Sequence, residues 1–213
     1  GTHMEGARTD GALLEQVVND APLGVHIKDL PRPFDFMLRD HRRWVDTHGA
    51  EGVQMDITNV DLRSALSLAG ARLSAVKAEK AIFLGLDLVA VELQAAQLSG
   101  ADFRSAKLDR ADLRGIRGMV ADFSGASLVD ANFSPLQLAG GHKLPADLSL
   151  ARLRHADLSR ANLQKANLRD ADLTGANLKD ANLREADLRG ANVDGADFDG
   201  AHIEGAYFPD SKS

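Results

Sequence analysis

The chain of 213 residues contains no cysteine, which excludes disulfide bonds, thiolate catalysis and thiolate metal sites. It has no run of 18 apolar residues and no signal-peptide pattern, so neither a membrane span nor secretion is indicated. The excess of one sign of charge is also small, because 25 Lys and Arg against 31 Asp and Glu give a formal net charge of −6. A nearly balanced surface is a poor ligand for nucleic acid phosphates. These absences favour a cytoplasmic protein without direct nucleic acid or membrane contacts, and the protein is expected to be bacterial.

What the chain does contain is a five-residue repeat, which runs from Ala71 to Asp210 without a change of phase and gives 28 quintets. Two clear copies are Ala-Asp-Leu-Ser-Arg at 156–160 and Ala-Asp-Leu-Thr-Gly at 171–175. With the Leu or Phe position called i, 25 of 28 i positions are large and apolar, and 22 of 28 i−2 positions are Ala. A period of five fits neither a helix nor a strand, so the chain must turn once per quintet. The Ala and Leu side chains then point the same way and form a narrow core.

The motif A(D/N)LXX, with Phe as the alternative centre, resembles the pentapeptide-repeat family over Ala71–Asp210, with a weaker extension back to Met55. The resemblance implies an all-β solenoid, in which four quintets make one square coil and the coils stack into a right-handed quadrilateral β-helix. For this length we expect about seven to eight coils and an N-terminal α-helical cap. The resemblance says little about function, because the repeat is scaffold.

Residue spacing independently supports a coil of twenty residues. Phe83, Phe103 and Phe123 lie twenty apart, which predicts a stacked column of rings. On the outer surface, Asn alternates with Asp in the columns 147/167/187 and 157/177/197, which keeps like charges out of register. The same spacing predicts five ion pairs between stacked coils: Arg110–Asp130, Arg160–Asp180, Lys165–Glu185, Lys179–Asp199 and Arg184–Glu204.

The first fifty residues differ in character from the repeat. Residues 1–4 are interpreted as an expression scar, 5–50 as a helical cap with a linker, 51–210 as the β-helix and 211–213 as a tail. Apolar stripes predict two helices, one at Leu13–Val18 and a stronger one from Phe34 to Val45 that ends at Gly49. Between them, Ala21–Pro33 is a linker, an edge strand or a docking peptide. The register also predicts one extra residue within Leu66–Gly70.

The second predicted helix has two possible roles. An uncovered first coil would present unpaired backbone groups and a bare apolar core, so a covering helix is expected. The alternative is that this helix docks to a partner through Arg39, Arg42, Arg43 and Trp44.

One segment keeps the period but breaks its chemistry: Gly140, Gly141, His142, Lys143, Leu144 and Pro145. By phase, Lys143 takes a Leu position directly above the Phe83, Phe103 and Phe123 column. An unpaired ammonium in that core would cost several kcal/mol, so the side chain or the whole face should swing outward. Residues 139–146 are therefore either a protruding loop that recognises a partner or an irregular coil.

The C-terminal end of the repeat carries bulkier residues, with Phe198, Ile203 and Phe208 at i positions and Tyr207 at an outward position. They either plug the last coil or stack two coil ends into a two-fold dimer. Acidic residues around this end would repel across the two-fold axis, so a monomer is favoured over an end-to-end homodimer.

No catalytic, cofactor-binding or metal-binding residues are predicted. The many Asp and Asn residues suit tight corners, and the histidines lack the spacing of a zinc-protease motif. The predicted function is therefore a non-enzymatic scaffold for an unidentified protein partner. The alternative, suggested by resemblance to gyrase-binding members of the family, is a DNA-mimicking modulator of DNA gyrase. The nearly neutral repeat counts against this alternative.

Overall fold

The computed structural model describes residues 24–65 and 67–209, so the predicted helix at Leu13–Val18 and the 211–213 tail lie outside the described residues. The elements in chain order are β1 (Val25–His26), a 3-10 turn (Ile27–Asp29), α1 (Phe34–Asp46), β2 (Val60–Asp61), β3 (Leu136–Gln137), a second 3-10 turn (Ala139–Gly141) and β4 (Lys143–Leu144). The rest of the repeat is held by single parallel bridges. Within the described part of the chain, no helix has the length and apolarity that a membrane crossing requires.

Each quintet makes one short extended segment and one tight corner. In the quintet 171–175, the carboxylate of Asp172 accepts a hydrogen bond from the backbone N–H of Thr174 at 3.0 Å. This side-chain turn explains why Asp and Asn recur at that position. The corner ends in a left-handed residue, here Gly175 with φ 65°. The next quintet begins when the Ala176 N–H donates to the carbonyl of Leu173 at 2.9 Å.

The coils stack with a period of twenty residues. Asp172, for example, bridges Arg152 below it and Asn192 above it. The Asp172 N–H donates to the carbonyl of Ala151 at 2.9 Å, and the Leu173 N–H donates to the carbonyl of Asn192 at 2.7 Å. Every twenty residues contain four such bridge positions, so the backbone is paired on four successive segments of each coil.

The core is a stack of fully buried i and i−2 side chains. The predicted Phe column is confirmed: the Phe83 and Phe103 rings are parallel with centroids 4.5 Å apart, and Phe103 and Phe123 follow at 4.8 Å. The spacing of the rings matches the spacing of stacked strands, about 4.8 Å. The columns of the core therefore run along the axis of the solenoid.

The first coil has one residue more than the others. Asp56 bridges Lys77 and Asp61 bridges Ile82, both twenty-one residues apart. Leu68 is already in the regular register, because its N–H donates to the carbonyl of Asp87 at 2.9 Å, as in later coils. The Ala65 N–H donates to the carbonyl of Leu62 at 2.8 Å, as the Ala of later quintets does, so the extra residue lies between Ala65 and Leu68 and agrees with the predicted position within Leu66–Gly70.

The N-terminal elements lie against the first coil. β1 pairs in parallel with β2, so the segment that sequence left open contains an edge strand at Val25–His26. α1 forms at the predicted place, and it ends where Gly49, with φ 87°, donates its N–H to the carbonyl of Trp44 at 2.8 Å. Its Phe34, Met37 and Leu38 pack against the core of the β-helix.

Candidate interaction surfaces

Between Phe133 and Ala146 the chain leaves the β-helix and forms an antiparallel β-hairpin, called the hairpin below. β3 and β4 pair Leu136 with Leu144 and Gln137 with Lys143. The turn at its tip uses Gly140 and Gly141, with φ of 78° and 81°. Residues 137–143 are all exposed, and Leu138 is 43% exposed. The hairpin therefore presents both apolar and charged side chains to solvent.

The coil closes beneath the hairpin without a gap. Bridges across it join residues thirty apart, as in Arg117 with Asp147 and Asp122 with Arg152. The Phe133 N–H still finds its acceptor in the next coil, the carbonyl of Asn162 at 2.7 Å. Ten residues are thus extruded from an otherwise continuous ladder.

Two prolines explain where the chain leaves the coil and where it returns. From residue 70 to residue 205, every fifth residue has a positive φ except Pro135 and Pro145. The proline ring holds φ near −65°, so neither residue can form the left-handed corner that its position requires. The ten-residue spacing of these prolines preserves the phase of the repeat on both sides.

The hairpin corrects the predicted position of Lys143. Leu153, not Lys143, occupies the core position above Phe123, because Asp122 bridges Arg152. Lys143 lies on β4 and is exposed. The predicted outward displacement occurs, but it takes the form of a hairpin that starts earlier than the predicted loop at 139–146. Whether it binds a partner remains a prediction.

The base of the hairpin packs against Gly115. A Cβ at this buried corner would lie 2.9 Å from the Cβ of Leu136 and 3.1 Å from a methyl carbon of Leu144. Because real Cβ contacts are longer, only glycine lets the two leucines close over the coil. The base of the hairpin is therefore packed, whereas its tip is free.

The arginines of α1 are largely occupied within the N-terminal region. Arg42 lies 3.7 Å from Asp46, and Arg43 lies 2.6 Å from Glu51. Arg39 stacks over the Phe36 ring at 4.2 Å. These exposed groups form a surface, but most of their charge is compensated locally.

His41 anchors α1 to the first coil. Its Nδ1 accepts a hydrogen bond from the Met55 N–H at 3.0 Å, and its ring stacks on Trp44 with centroids 5.7 Å apart. His41 is fully buried, and burial lowers its pKa. Trp44 therefore contacts α1's own buried histidine, so this residue of the predicted docking set is partly used in packing.

The C-terminal coil end has an incompletely covered core within the described residues. Ile203 is 46% exposed and Phe208 is 36% exposed, whereas equivalent positions in earlier coils are fully buried. Phe198 and Phe208 meet edge to face at 5.7 Å, and Arg189 lies over the Tyr207 ring at 5.2 Å. Phe198 and Phe208 thus contact each other, and the role of the four predicted end residues in binding remains a prediction.

The predicted ladder of ion pairs forms in part. Lys165–Glu185 at 3.1 Å and Arg184–Glu204 at 3.0 Å are confirmed. Lys179 instead reaches Asp197 at 3.2 Å, the residue of the next coil that bridges Asn177 in the same segment.

The hairpin also changes the partner of Arg160. By extruding ten residues it places Asp130 directly below Arg160, which therefore pairs with Asp130 at 2.8 Å and not with Asp180. Hydrogen bonds from Arg160 lower the pKa of Asp130. That carboxylate makes no ion pair with Arg110 among the described residues, contrary to the prediction.

The alternation of Asp and Asn has a direct structural use. The amide of Asn167 donates to Asp147 at 2.8 Å, and the amide of Asn177 donates to Asp157 at 3.0 Å. Each amide thus replaces a repulsion between stacked carboxylates with a hydrogen bond.

One group of side chains superficially resembles a hydrolase site. Ser64 Oγ lies 3.4 Å from Nε2 of His26, and His26 pairs with Asp61 across the strands. However, Nδ1 of His26 accepts a hydrogen bond from the Lys28 N–H at 3.0 Å, which leaves the proton of the neutral ring on Nε2. His26 cannot then accept the serine proton. Among residues 24–65 and 67–209, no cluster of three or more His, Asp or Glu is placed to hold a metal ion.

Sequence reasoning missed an exposed apolar corner beside the hairpin. Met119, Val120 and Leu150 are 43%, 53% and 52% exposed, at corner positions that elsewhere hold mostly small or polar residues. The signal was present, because two consecutive apolar residues replace polar corner residues at 119–120.

Comparisons with solved structures give pentapeptide-repeat proteins. Rfr23 from the cyanobacterium Cyanothece is 26% identical, with 69% of this chain and 94% of that chain covered and a TM-score of 0.38. HetL from the cyanobacterium Nostoc, involved in heterocyst differentiation regulation, is 28% identical, with 79% and 95% covered and a TM-score of 0.26. QnrB1, a plasmid-mediated fluoroquinolone resistance protein, is 20% identical, with 69% and 79% covered and a TM-score of 0.26. A comparison with curated proteins gives no match.

The family model for pentapeptide repeats matches in eight copies over residues 67–104, 96–134, 146–184 and 176–212. Within residues 67–212 the match omits 135–145, which is the hairpin with its two flanking prolines. The chain therefore belongs to the pentapeptide-repeat family, whose repeats form a right-handed β-helix.

Proposed function

We propose that this protein is a non-enzymatic scaffold that binds a protein partner through the hairpin. The observation that carries the proposal is the extrusion of the hairpin from a ladder that remains paired beneath it. A rod with uniform faces offers few distinguishing features, whereas a protruding hairpin offers a specific shape. Leu138 and Lys143 at its exposed end provide one apolar and one charged contact.

The remaining parts serve the scaffold in this proposal. The β-helix is quadrilateral with about seven coils, which the four bridge positions in every twenty residues support. α1 caps the first coil, supported by the packing of Phe34, Met37 and Leu38 on the core. The protein is a monomer, because the acidic residues around the C-terminal end oppose stacking of two such ends.

The test uses a variant without the hairpin. Replacing residues 135–145 by a single Gly joins Ser134 to Ala146 through a left-handed corner and restores the twenty-residue register. We expect this variant to melt close to the wild type and to lose the partner that the wild type captures from its native host. The matched control replaces Arg39, Arg42 and Arg43 by Ser on α1. If the hairpin-free variant captures the partner and this control does not, the hairpin is rejected as the binding site and α1 is indicated instead.

Modulation of DNA gyrase is a second candidate, and one observation favours it. Between Gly190 and Pro209 the chain has four acidic residues and no Lys or Arg, which gives the C-terminal coil a local negative charge. A supercoiling assay with purified gyrase tests this candidate. No effect at a large molar excess of the protein would remove it.

A further inference from the structure

One face of the β-helix differs from the others in its charges. Its outward column contains Lys77, Gln97, Arg117 and Asp147, which bridge one another in that order. We call this column, together with its two edges, the hairpin face. One edge carries the hairpin, which inserts between Phe133 and Ala146. The other edge is the apolar corner of Met119, Val120 and Leu150.

Unpaired cations are concentrated on the hairpin face. Between residues 71 and 209, most Lys and Arg side chains pair with a carboxylate. Six make no ion pair with a described residue: Lys77, Lys80, Lys107, Arg110, Arg117 and Lys143. Only Lys107 and Arg110 of these six lie away from the hairpin face or its edges. Asp56 bridges Lys77 and Glu79 adjoins Lys80 at the first-coil end of the face, so its positive charge without a neighbouring free carboxylate lies at Arg117 and Lys143.

Arg117 stays unpaired although Asp147 is its neighbour in the column. Oδ1 of Asp147 already accepts hydrogen bonds from the Ser149 N–H at 3.1 Å, the Ser149 hydroxyl at 2.7 Å and the Asn167 amide at 2.8 Å. These three donors orient the carboxylate toward its own corner and the coil above. The guanidinium of Arg117 is left exposed to solvent.

The apolar edge lies beside these cations. The Val120 N–H donates to the carbonyl of Ser149 at 3.0 Å, so the corner that ends in Leu150 stacks directly on the corner of Met119 and Val120. Val120 holds φ at 63°, which is unfavourable for a β-branched residue. The Val120 side chain is 53% exposed, so its burial offsets little of that backbone cost in the free protein. Contiguous exposed apolar side chains of this kind mark binding surfaces.

We propose that the hairpin face binds an extended, acidic segment of the partner protein, with alternating acidic and aliphatic residues. Successive side chains of an extended peptide point to opposite sides. Along the axis of the rod, one row then faces Lys77, Arg117 and Lys143, and the other row faces the apolar edge. Carboxylates in the first row complement the unpaired cations, and aliphatic groups in the second cover Met119, Val120 and Leu150. This inference rests on the proposed scaffold function and specifies the chemistry of its partner.

The test measures binding of a defined probe, a fluorescein-labelled twelve-residue peptide alternating Glu and Leu, by fluorescence anisotropy at low salt. We expect Lys77→Ser with Arg117→Ser to weaken binding about tenfold, from two lost charge contacts. The matched control, Lys107→Ser with Arg110→Ser, removes the same charge from other faces and should leave binding within about twofold. Met119→Ser with Leu150→Ser should also weaken binding, and a peptide with Lys in place of Glu should not bind.

Three outcomes would overturn the inference: no binding of the acidic peptide, equal losses in the two double variants, or equally tight binding of duplex DNA. They are distinguishable from failure of the scaffold proposal. Suppose that the hairpin-free variant loses the partner while the Lys77→Ser, Arg117→Ser variant binds the peptide as tightly as the wild type. This combination would retain the scaffold proposal and reject the acidic segment.

Discussion

Arg160 donates two parallel hydrogen bonds to Asp130, from Nε at 2.8 Å and from Nη2 at 2.9 Å. Thirty residues separate the two, although every regular coil has twenty. The pair is in contact because the hairpin absorbs the ten-residue difference.

The hairpin should therefore be removable without loss of the fold. Replacing residues 135–145 by Gly keeps Asp130 beneath Arg160, and we expect the melting temperature to change by less than about 5 °C, since the removed residues contribute little to the core. Circular dichroism on heating measures this. A control variant lacks only residues 136–140, so that five extra residues remain between the coils. We expect it to be no more stable than the variant without the whole hairpin. Unfolding of the excised variant would show that the hairpin is structural.

Gly115→Ala should destabilise the protein more than Gly85→Ala. Both glycines have φ near 65°, so both substitutions incur the same left-handed backbone cost of about 1 kcal/mol. Only at residue 115 does the new Cβ meet Leu136 and Leu144, since nothing lies within 4 Å at residue 85. We expect an additional loss of about 1–2 kcal/mol in urea unfolding. Equal losses would mean that the hairpin is not seated on Gly115.

Val120→Gly should stabilise the protein, although it removes an apolar side chain. Glycine relieves the positive φ of 63°, and the exposed valine contributes little burial. The expected gain is about 0.5–1 kcal/mol in the free energy of unfolding. Val129→Gly, at a corner residue without a positive φ, should destabilise by a similar amount. Destabilisation by both changes would contradict the strain at Val120.

These cases show which features can be predicted from sequence. The coil, the core and the Phe column follow from local spacing, because each quintet repeats the same contacts. The pairing of Val25 with Val60 has no local signal, since it joins segments far apart in sequence. The ends of the hairpin can be predicted from Pro135 and Pro145 only if it is known that each corner needs a residue with positive φ. The hairpin face depends on which carboxylates are already occupied, and this information is three-dimensional.

Stability should fall as the pH falls below 6.5, through His41. Burial lowers the pKa of His41 from its ordinary value of 6.5, so the unfolded chain binds this proton more readily than the folded chain. The contribution of the neutral ring is fully present above pH 6.5. It is lost below that value by at most about 1.4 kcal/mol per pH unit. Protonation would also abolish the acceptor at Nδ1 for the Met55 N–H.

Urea midpoints between pH 7.5 and pH 5 check this slope. His41→Asn supplies an acceptor oxygen that does not titrate, and it should flatten the curve. His48→Asn changes an exposed histidine that follows α1 and serves as the control. A slope that is unchanged in His41→Asn would contradict the assignment.

Asn167→Asp should cost more than Asn162→Asp. At residue 167 the new carboxylate lies between Asp147 and Asp187, and the hydrogen bond to Asp147 is lost. At residue 162 both neighbours are Asn, and the amide of Asn182 can still donate to it. We expect a loss of about 1–2 kcal/mol for Asn167→Asp at pH 7. Urea unfolding of the two variants at pH 7 measures this difference, and equal losses would contradict the role of the Asn167 amide.

The corner prolines also have a consequence for design. Because Pro135 and Pro145 mark the ends of a segment that leaves the ladder, the nine residues between them can be exchanged as a cassette, much as antibody frameworks carry interchangeable loops. A library of hairpins grafted between Ser134 and Ala146 would vary recognition while the stacked coils on either side retain their hydrogen bonds.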